Sequence, residues 1–182
     1  MAKNRIDLAA SRRPYRSGQF AGLLMPVTIS KRSVVRASAD EVWQRVTTPE
    51  GINHELSPFV HMTTPRSMKG RSAADMRPGE RLGRSWLLLG QLIPFEYDDI
   101  RIAELEPGHR FREASSMLFV RRWEHERTLR PAAGGTEISD KVTFELRRPL
   151  DLIPGFPQLV AGLLSHLFSH RHRQLQRWFH RE

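Results

Sequence analysis

The sequence contains no cysteine, which excludes disulfide bonds, thiolate nucleophiles and metal sites built from cysteine. It also lacks any run near the roughly 18 apolar residues that a membrane-spanning helix needs. The longest apolar stretch, residues 86–95, is interrupted by Gly90, Gln91 and Pro94. No glycine-rich loop precedes a helix as nucleotide-binding motifs require. We therefore expect a cytoplasmic protein without a cofactor.

Positive charge is in excess, but it lies mainly at the two ends of the chain. The net charge is +9, of which residues 1–25 supply +4 and residues 166–182 supply +3. Because a basic end is more often a solvated tail than a binding device, we interpret residues 1–24 as a flexible arm and residues 25–182 as one domain. Weak contact of the ends with an anionic membrane surface or RNA is an open alternative, and no specific nucleic-acid site is predicted.

The domain begins with a strand and two short helices. Alternating apolar residues predict the strand at 27–35. Ser38 and Glu41 form a capping box, in which each side chain bonds to the backbone of the other, and this starts the first helix. Thr48 caps a second helix at about 49–56, with proline at its first position.

A run of strands and one long helix complete the domain. Strands are predicted at about 59–63, 82–90, 95–104, 110–116, 119–130 and 135–146, with a loop at 64–80. From about Pro157 to Arg181, apolar residues recur at intervals of three and four, which indicates a helix. The inner stripe of this helix is predicted to contain Val160, Leu164, Leu167, Arg171, Leu175 and Trp178. The order of elements indicates an α+β fold.

The last two strands carry polar residues on the face that their apolar residues mark as inward. Setting Leu129 opposite Ile138 places Arg127 opposite Asp140 and turns His125 to the same side. Polar groups are seldom buried without a partner, a cavity or a function. For Arg127 and Asp140 two interpretations are open: an anchor for a ligand, or an internal ion pair that fixes the register. We favour the ion pair.

Several segments together resemble one known superfamily. They are Ala37-Ser38-Ala39-Asp40-Glu41-Val42-Trp43, Gly90-Gln91-Leu92-Ile93-Pro94-Phe95, Ile102-Ala103-Glu104-Leu105-Glu106-Pro107, the hairpin from Trp123-Glu124-His125 through Gly134-Gly135-Thr136 to Asp140, and Phe168-Ser169-His170-Arg171-His172-Arg173-Gln174-Leu175. Over residues 27–180 the chain resembles the START-type helix-grip superfamily, also called SRPBCC. The resemblance is nearest to its bacterial ligand-binding domains.

This resemblance implies a curved antiparallel sheet of six to seven strands that wraps around the long C-terminal helix. It also implies a cavity between sheet and helix for a small hydrophobic ligand such as a lipid, isoprenoid or polyketide. We expect a binding protein rather than an enzyme. The alternative is an aromatase/cyclase-like enzyme that uses the same cavity and moves protons with His125, the one candidate catalytic residue.

The expected ligand-binding residues combine large apolar side chains with the inward polar groups. They are Trp86, Phe95, Tyr97, Trp123, His125, Arg127, Asp140, Leu164 and Phe168. Aromatic walls with a few polar groups are typical of sites for apolar ligands. Plain core packing is the alternative for the aromatic residues.

The histidines of the C-terminal helix do not predict a metal site. His166 and His170 lie one turn apart, but no glutamate base and no third ligand accompany them. We interpret the arginine and histidine face of this helix as its solvent side, and we predict no metal.

Overall fold

The computed structural model describes residues 26–71 and 75–180 of the chain. The proposed basic arm, residues 1–24, lies outside the described residues. The described part confirms the predicted α+β class: a curved antiparallel sheet of seven strands with one long C-terminal helix. Along the sheet the strands follow the order β1-β7-β6-β5-β4-β3-β2.

The strands lie close to the predicted positions. They are β1 (Val27–Val35), β2 (Val60–Met62), β3 (Arg81–Leu89), β4 (Ile93–Glu106), β5 (Arg110–Met117), β6 (Val120–Ala132) and β7 (Gly135–Leu146). The largest difference is β4, which starts at Ile93 because the turn after β3 is short. A 3₁₀ helix at Arg66–Met68 lies within the predicted loop, and another at Leu150–Leu152 precedes the long helix.

Both short helices have the predicted caps. In α1 (Ala39–Val46) the Ser38 side chain accepts a hydrogen bond from the Glu41 backbone, and the Glu41 carboxylate accepts one from the Ser38 backbone. In α2 (Pro49–Leu56) the Thr48 hydroxyl accepts from the Gly51 amide. The two helices therefore follow β1 directly.

The register of the β6–β7 hairpin is also confirmed. Leu129 pairs with Ile138 and Arg127 pairs with Asp140. Both Arg127 and Asp140 are buried on the face that packs toward the C-terminal helix. A shift by one residue would turn every one of these side chains to solvent, so burial and register support each other.

The long helix, α3 (Phe156–Phe179), contains 24 residues. At about 1.5 Å per residue it is roughly 36 Å long, enough to cross the sheet. Its buried residues are Phe168, Arg171, His172, Leu175 and Phe179. Among the residues that the structure describes, no helix is both long enough and apolar enough to cross a membrane.

Two apolar clusters flank a polar layer between the sheet and α3. One cluster joins α1 to the C-terminal end of α3 through Val42, Ile138 and Leu175. The other includes Trp123 and Phe168 and extends toward the start of α3. Between them lie the buried charged groups of β6, β7 and α3, and the second cluster forms part of a cavity wall.

Candidate ligand-binding cavity

A cavity of about 610 Å³ lies between the concave face of the sheet and the N-terminal half of α3. Small-molecule sites commonly measure roughly 300–1,000 Å³, so this volume suits a ligand of moderate size. Most of its wall is apolar. The apolar part includes Ile52, Leu56, Val60, Met62, Met68, Leu82, Leu87, Ile100, Ile102, Leu105, Phe111, Met117, Val120, Leu146, Phe156, Val160 and Leu167.

Five of the predicted ligand-binding residues lie in the wall of this cavity. They are Phe95, Trp123, His125, Leu164 and Phe168. The first three come from β4 and β6, and the other two come from α3. The sheet and the helix thus both contribute predicted residues to the same space.

Trp86 and Tyr97 lie on the other face of the sheet, which corrects their predicted orientation. Their rings contact each other at 5.8 Å between centroids, and Trp86 is 46% exposed. The physical reason is strand alternation in β4. Ile100 and Ile102 face the cavity, so the inward positions before them belong to acidic residues, and Tyr97 must face outward.

Arg127 and Asp140 lie behind the cavity wall rather than in it. The guanidinium of Arg127 donates from Nε to Asp140 Oδ1 at 2.7 Å and from Nη2 to Oδ2 at 2.7 Å. The same guanidinium donates from Nη1 and Nη2 to the Glu55 carboxylate at 3.0 and 2.9 Å. Arg127 therefore joins two buried carboxylates, which agrees with an ion pair that holds elements together.

Residues from α3 complete this buried network. Arg171 donates from Nε to Glu55 Oε2 at 2.9 Å, and its guanidinium lies over the Phe168 ring. His172 contacts Asp140 Oδ2 through Nε2 at 3.0 Å and Ser33 Oγ through Nδ1 at 2.6 Å. Arg171 and His172 are both buried. The interpretation of the basic helix face as its solvent side is therefore wrong for His172, whereas Arg171 lies on the inner stripe where the spacing placed it.

The network fixes the charges of its members. Burial alone would raise the pKa of Asp140, but Arg127 and the hydrogen bonds from the two histidines hold it well below its usual range. Burial likewise opposes ionisation of Glu55, yet Arg127 and Arg171 lower its pKa. Two carboxylates thus balance two guanidinium groups in the protein interior, and loss of one would leave another unpaired.

His125 links the network to the cavity. Its Nε2 lies 3.0 Å from Asp140 Oδ1, and its ring packs edge-on against Phe111 and Phe168. Because an ionised carboxylate only accepts hydrogen bonds, Nε2 of a neutral His125 must carry the proton. Its other ring nitrogen, Nδ1, is then an acceptor, and it makes no hydrogen bond to any described residue.

Sequence reasoning missed an acidic group in the sheet wall of the cavity. Glu96, Asp98 and Glu113 all line it. Burial, followed by the neighbouring Glu113 carboxylate, raises the pKa of Asp98 well above its usual value. Counting alternate positions back from Ile102 would have placed Glu96 and Asp98 on the cavity side. The prediction placed the neighbouring Phe95 and Tyr97 on that side instead, because their side chains are large and aromatic.

His166 and His170, which lie one turn apart on α3, contact a backbone carbonyl and an aromatic ring. His170 Nε2 lies 2.6 Å from the Ser57 carbonyl oxygen, and the rings of His166 and His170 both pack edge-on against Phe59. Within residues 26–71 and 75–180, no group of three or more histidine, aspartate or glutamate side chains is arranged to hold a metal ion.

Several solved structures share this architecture at low sequence identity. Protein CV1439 from Chromobacterium violaceum has a TM-score of 0.62 and 19% identity, covering 85% of this chain and 98% of its own. A START superfamily protein from Mycobacterium smegmatis has a TM-score of 0.59 and 16% identity, with coverages of 85% and 97%. For Ara h 8.0201 the TM-score is 0.54 and the identity 13%, with coverages of 83% and 98%.

At identities this low, the structural similarity establishes a shared fold and no more. The chain has the START-type helix-grip fold that the sequence resemblance implied. No curated protein is significantly similar to the chain. A family model matches residues 33–179, from within β1 to the end of α3. The chain therefore belongs to the family described as a domain of unknown function, DUF8410.

Proposed function

We propose that the protein binds a small hydrophobic molecule, such as a lipid, an isoprenoid or a polyketide, in the cavity between the sheet and α3. The observation that carries this proposal is the cavity itself, with about 610 Å³ of space and a predominantly apolar wall. Removal of apolar surface from water favours binding by about 25 cal/mol per Å² of surface buried. A ligand that fills this space therefore gains affinity in proportion to its apolar surface.

The wall residues give the proposal its chemistry. Trp123 and Phe168 provide flat aromatic surfaces on the sheet and helix sides, and Met62 and Met68 provide flexible side chains on the side of β2 and the following loop. Aromatic rings supply large contact areas, while methionine adapts to irregular ligand shapes. This combination suits a ligand recognised by its shape and apolar surface.

The proposal is tested by titration with the neutral fluorophore N-phenyl-1-naphthylamine, which brightens in apolar sites. We expect saturable binding to the wild type, and binding at least tenfold weaker to Leu164→Trp, because the larger ring fills cavity space. Leu163→Trp is the matched control, since Leu163 immediately precedes Leu164 in α3 and is 64% exposed. Equal binding by all three proteins would refute a cavity site.

A second candidate function is proton-transfer catalysis of the polyketide cyclase type, and His125 is the observation that favours it. Asp140 accepts from Nε2 of His125, which leaves Nδ1 as a base beside the cavity. Incubating a linear polyketone with wild type and His125→Gln distinguishes the two functions. If the protein is an enzyme, the wild type accelerates cyclisation and the variant does not. If it only binds, cyclisation proceeds at the uncatalysed rate with either protein.

A further inference from the structure

Some polar side chains in the cavity wall have atoms without a hydrogen-bond partner among the described residues, and these atoms are hydrogen-bond acceptors. Glu96 can be set aside because both of its carboxylate oxygens already accept hydrogen bonds from backbone amides. It accepts from the backbone amides of Tyr97, Leu118 and Phe119 at 2.9, 2.6 and 3.0 Å. These bonds fix the β5–β6 turn to β4, so Glu96 has a structural role.

Asp98 is different, because one of its oxygens is buried without a partner. The side chain lies in the cavity wall, the residue is 4% exposed, and no described residue hydrogen-bonds to Oδ1. Its carboxyl group interacts with the Glu113 carboxyl and the Ser115 hydroxyl, which leaves Oδ1 as the oxygen without a described partner. Glu113 in turn accepts from the Ser115 hydroxyl at 2.6 Å. When Asp98 and Glu113 share one proton between them, whichever of the two carries it, Oδ1 of Asp98 is left outside that bond and is available to accept.

His125 continues this row of acceptors on the next strand. Glu113 in β5 and His125 in β6 are directly paired in the sheet, and both line the cavity. In a neutral His125 whose Nε2 donates to Asp140, Nδ1 is also an acceptor. We call Asp98, Glu113 and His125 the acceptor face. It spans three neighbouring strands, β4, β5 and β6.

The one charged donor among the described cavity residues is Arg171, on the helix side. Its guanidinium is already held by Glu55, through Nε and Nη2, both at 2.9 Å from Oε2. An anionic ligand at Arg171 would have to compete with this buried carboxylate. It would also lie in the field of Glu113, so the cavity disfavours a free carboxylate.

We propose that the natural ligand is a hydrophobic molecule that carries a hydroxyl group, and that this hydroxyl donates a hydrogen bond to the acceptor face. The inference rests on the proposed function, because it assigns the polar end of the same ligand. A buried acceptor without a partner is costly, so a donor that reaches it gains more than an ordinary surface hydrogen bond. A neutral hydroxyl also costs less to bury than an ammonium group.

The test compares three probes of nearly equal size as competitors of N-phenyl-1-naphthylamine: 1-dodecanol, its isomer 1-methoxyundecane, and dodecanoate. The first donates a hydrogen bond, the second only accepts, and the third carries a negative charge. We expect half-displacement of the fluorophore by 1-dodecanol at a concentration about tenfold lower than by either of the other probes. A tenfold difference in affinity corresponds to the free energy of one well-made hydrogen bond.

Variants of Asp98 assign this selectivity to the acceptor face. Asp98→Leu removes the acceptor and should reduce the preference for 1-dodecanol over 1-methoxyundecane to less than about threefold. Asp98→Asn should keep the preference, because its amide nitrogen donates to Glu113 and its oxygen still accepts. Asp99→Leu is the control, since Asp99 lies on the outer face and pairs with Arg81.

The outcomes separate the two proposals. If 1-methoxyundecane or dodecanoate competes as well as 1-dodecanol, the hydroxyl assignment is overturned while cavity binding stands. The same conclusion follows if Asp98→Leu leaves the preference unchanged. If the fluorophore itself does not bind, or binds equally to Leu164→Trp, the proposed function fails before any question of selectivity arises.

Discussion

Replacing Arg127 with methionine should lower the free energy of unfolding by about 3–5 kcal/mol. Arg127 is 1% exposed and makes four hydrogen bonds to the carboxylates of Glu55 and Asp140. Methionine has a similar length but no charge, so it fills the space without compensating either carboxylate. The stability is lost because two buried carboxylates keep their negative charges with fewer partners. Chemical denaturation at pH 7 measures this change in the free energy of unfolding.

Arg130→Met is the matched control for this substitution. Arg130 lies three residues further along β6 and is exposed, with Glu137 as its strand neighbour. Surface changes of this kind usually alter stability by no more than about 0.5 kcal/mol. If both variants lose the same small amount, the buried network does not hold the structure together as described.

The pH dependence of the wild type follows from the same network. The pKa of Asp140 and that of Glu55 are lowered in the folded protein by Arg127 and its neighbours, against the effect of burial. The stability that these groups contribute is present above their unfolded pKa values, near 4, and is lost as the pH falls through the folded values. Acid should therefore weaken the wild type more than Arg127→Met.

Asp98→Asn should have the opposite effect, a gain in stability that grows with pH. Burial and Glu113 raise the pKa of Asp98 in the folded protein. Above about pH 4 the unfolded chain releases this proton while the folded protein retains it, so the wild type loses about 1.4 kcal/mol per pH unit up to the folded pKa. Asparagine does not titrate, so the variant lacks this loss.

Denaturation of wild type and Asp98→Asn between pH 4 and 8 measures the effect. We expect the difference in unfolding free energy to increase with pH in favour of the variant until the pH reaches the folded pKa of Asp98, and to level off above it. Asp99→Asn serves as the control on the outer face of β4, where Arg81 lowers the pKa of Asp99. Parallel curves for wild type and Asp98→Asn would contradict a protonated Asp98.

Local patterns explain why so much of the fold could be predicted. The caps of α1 and α2 depend on residues within three positions of each other, and the β6–β7 register depends on alternation across a short turn. The inward position of Arg127 and Asp140 follows from that register together with the apolar residues that share their face. These features need no information about distant parts of the chain.

The partners of Arg127 could not be predicted in the same way. Glu55 lies 72 residues before it, on a short helix whose pattern gives no sign of a buried carboxylate. Arg171 could be placed on the inner stripe of α3, but its contact with Glu55 depends on how two helices pack. In β4 the hydrophobicity of Tyr97 suggested an inward side chain, whereas alternation with Ile100 and Ile102 decides the matter and places Asp98 inside.

The most direct test of the central claim, that the cavity holds a small hydrophobic molecule, is native mass spectrometry of protein purified from its own host. We expect the wild type and Leu163→Trp to carry an apolar adduct of small-molecule mass, released on denaturation. Leu164→Trp should lack this adduct because its larger side chain occupies cavity space. A wild type without an adduct that also binds no apolar probe, or an adduct retained equally by Leu164→Trp, would contradict the claim.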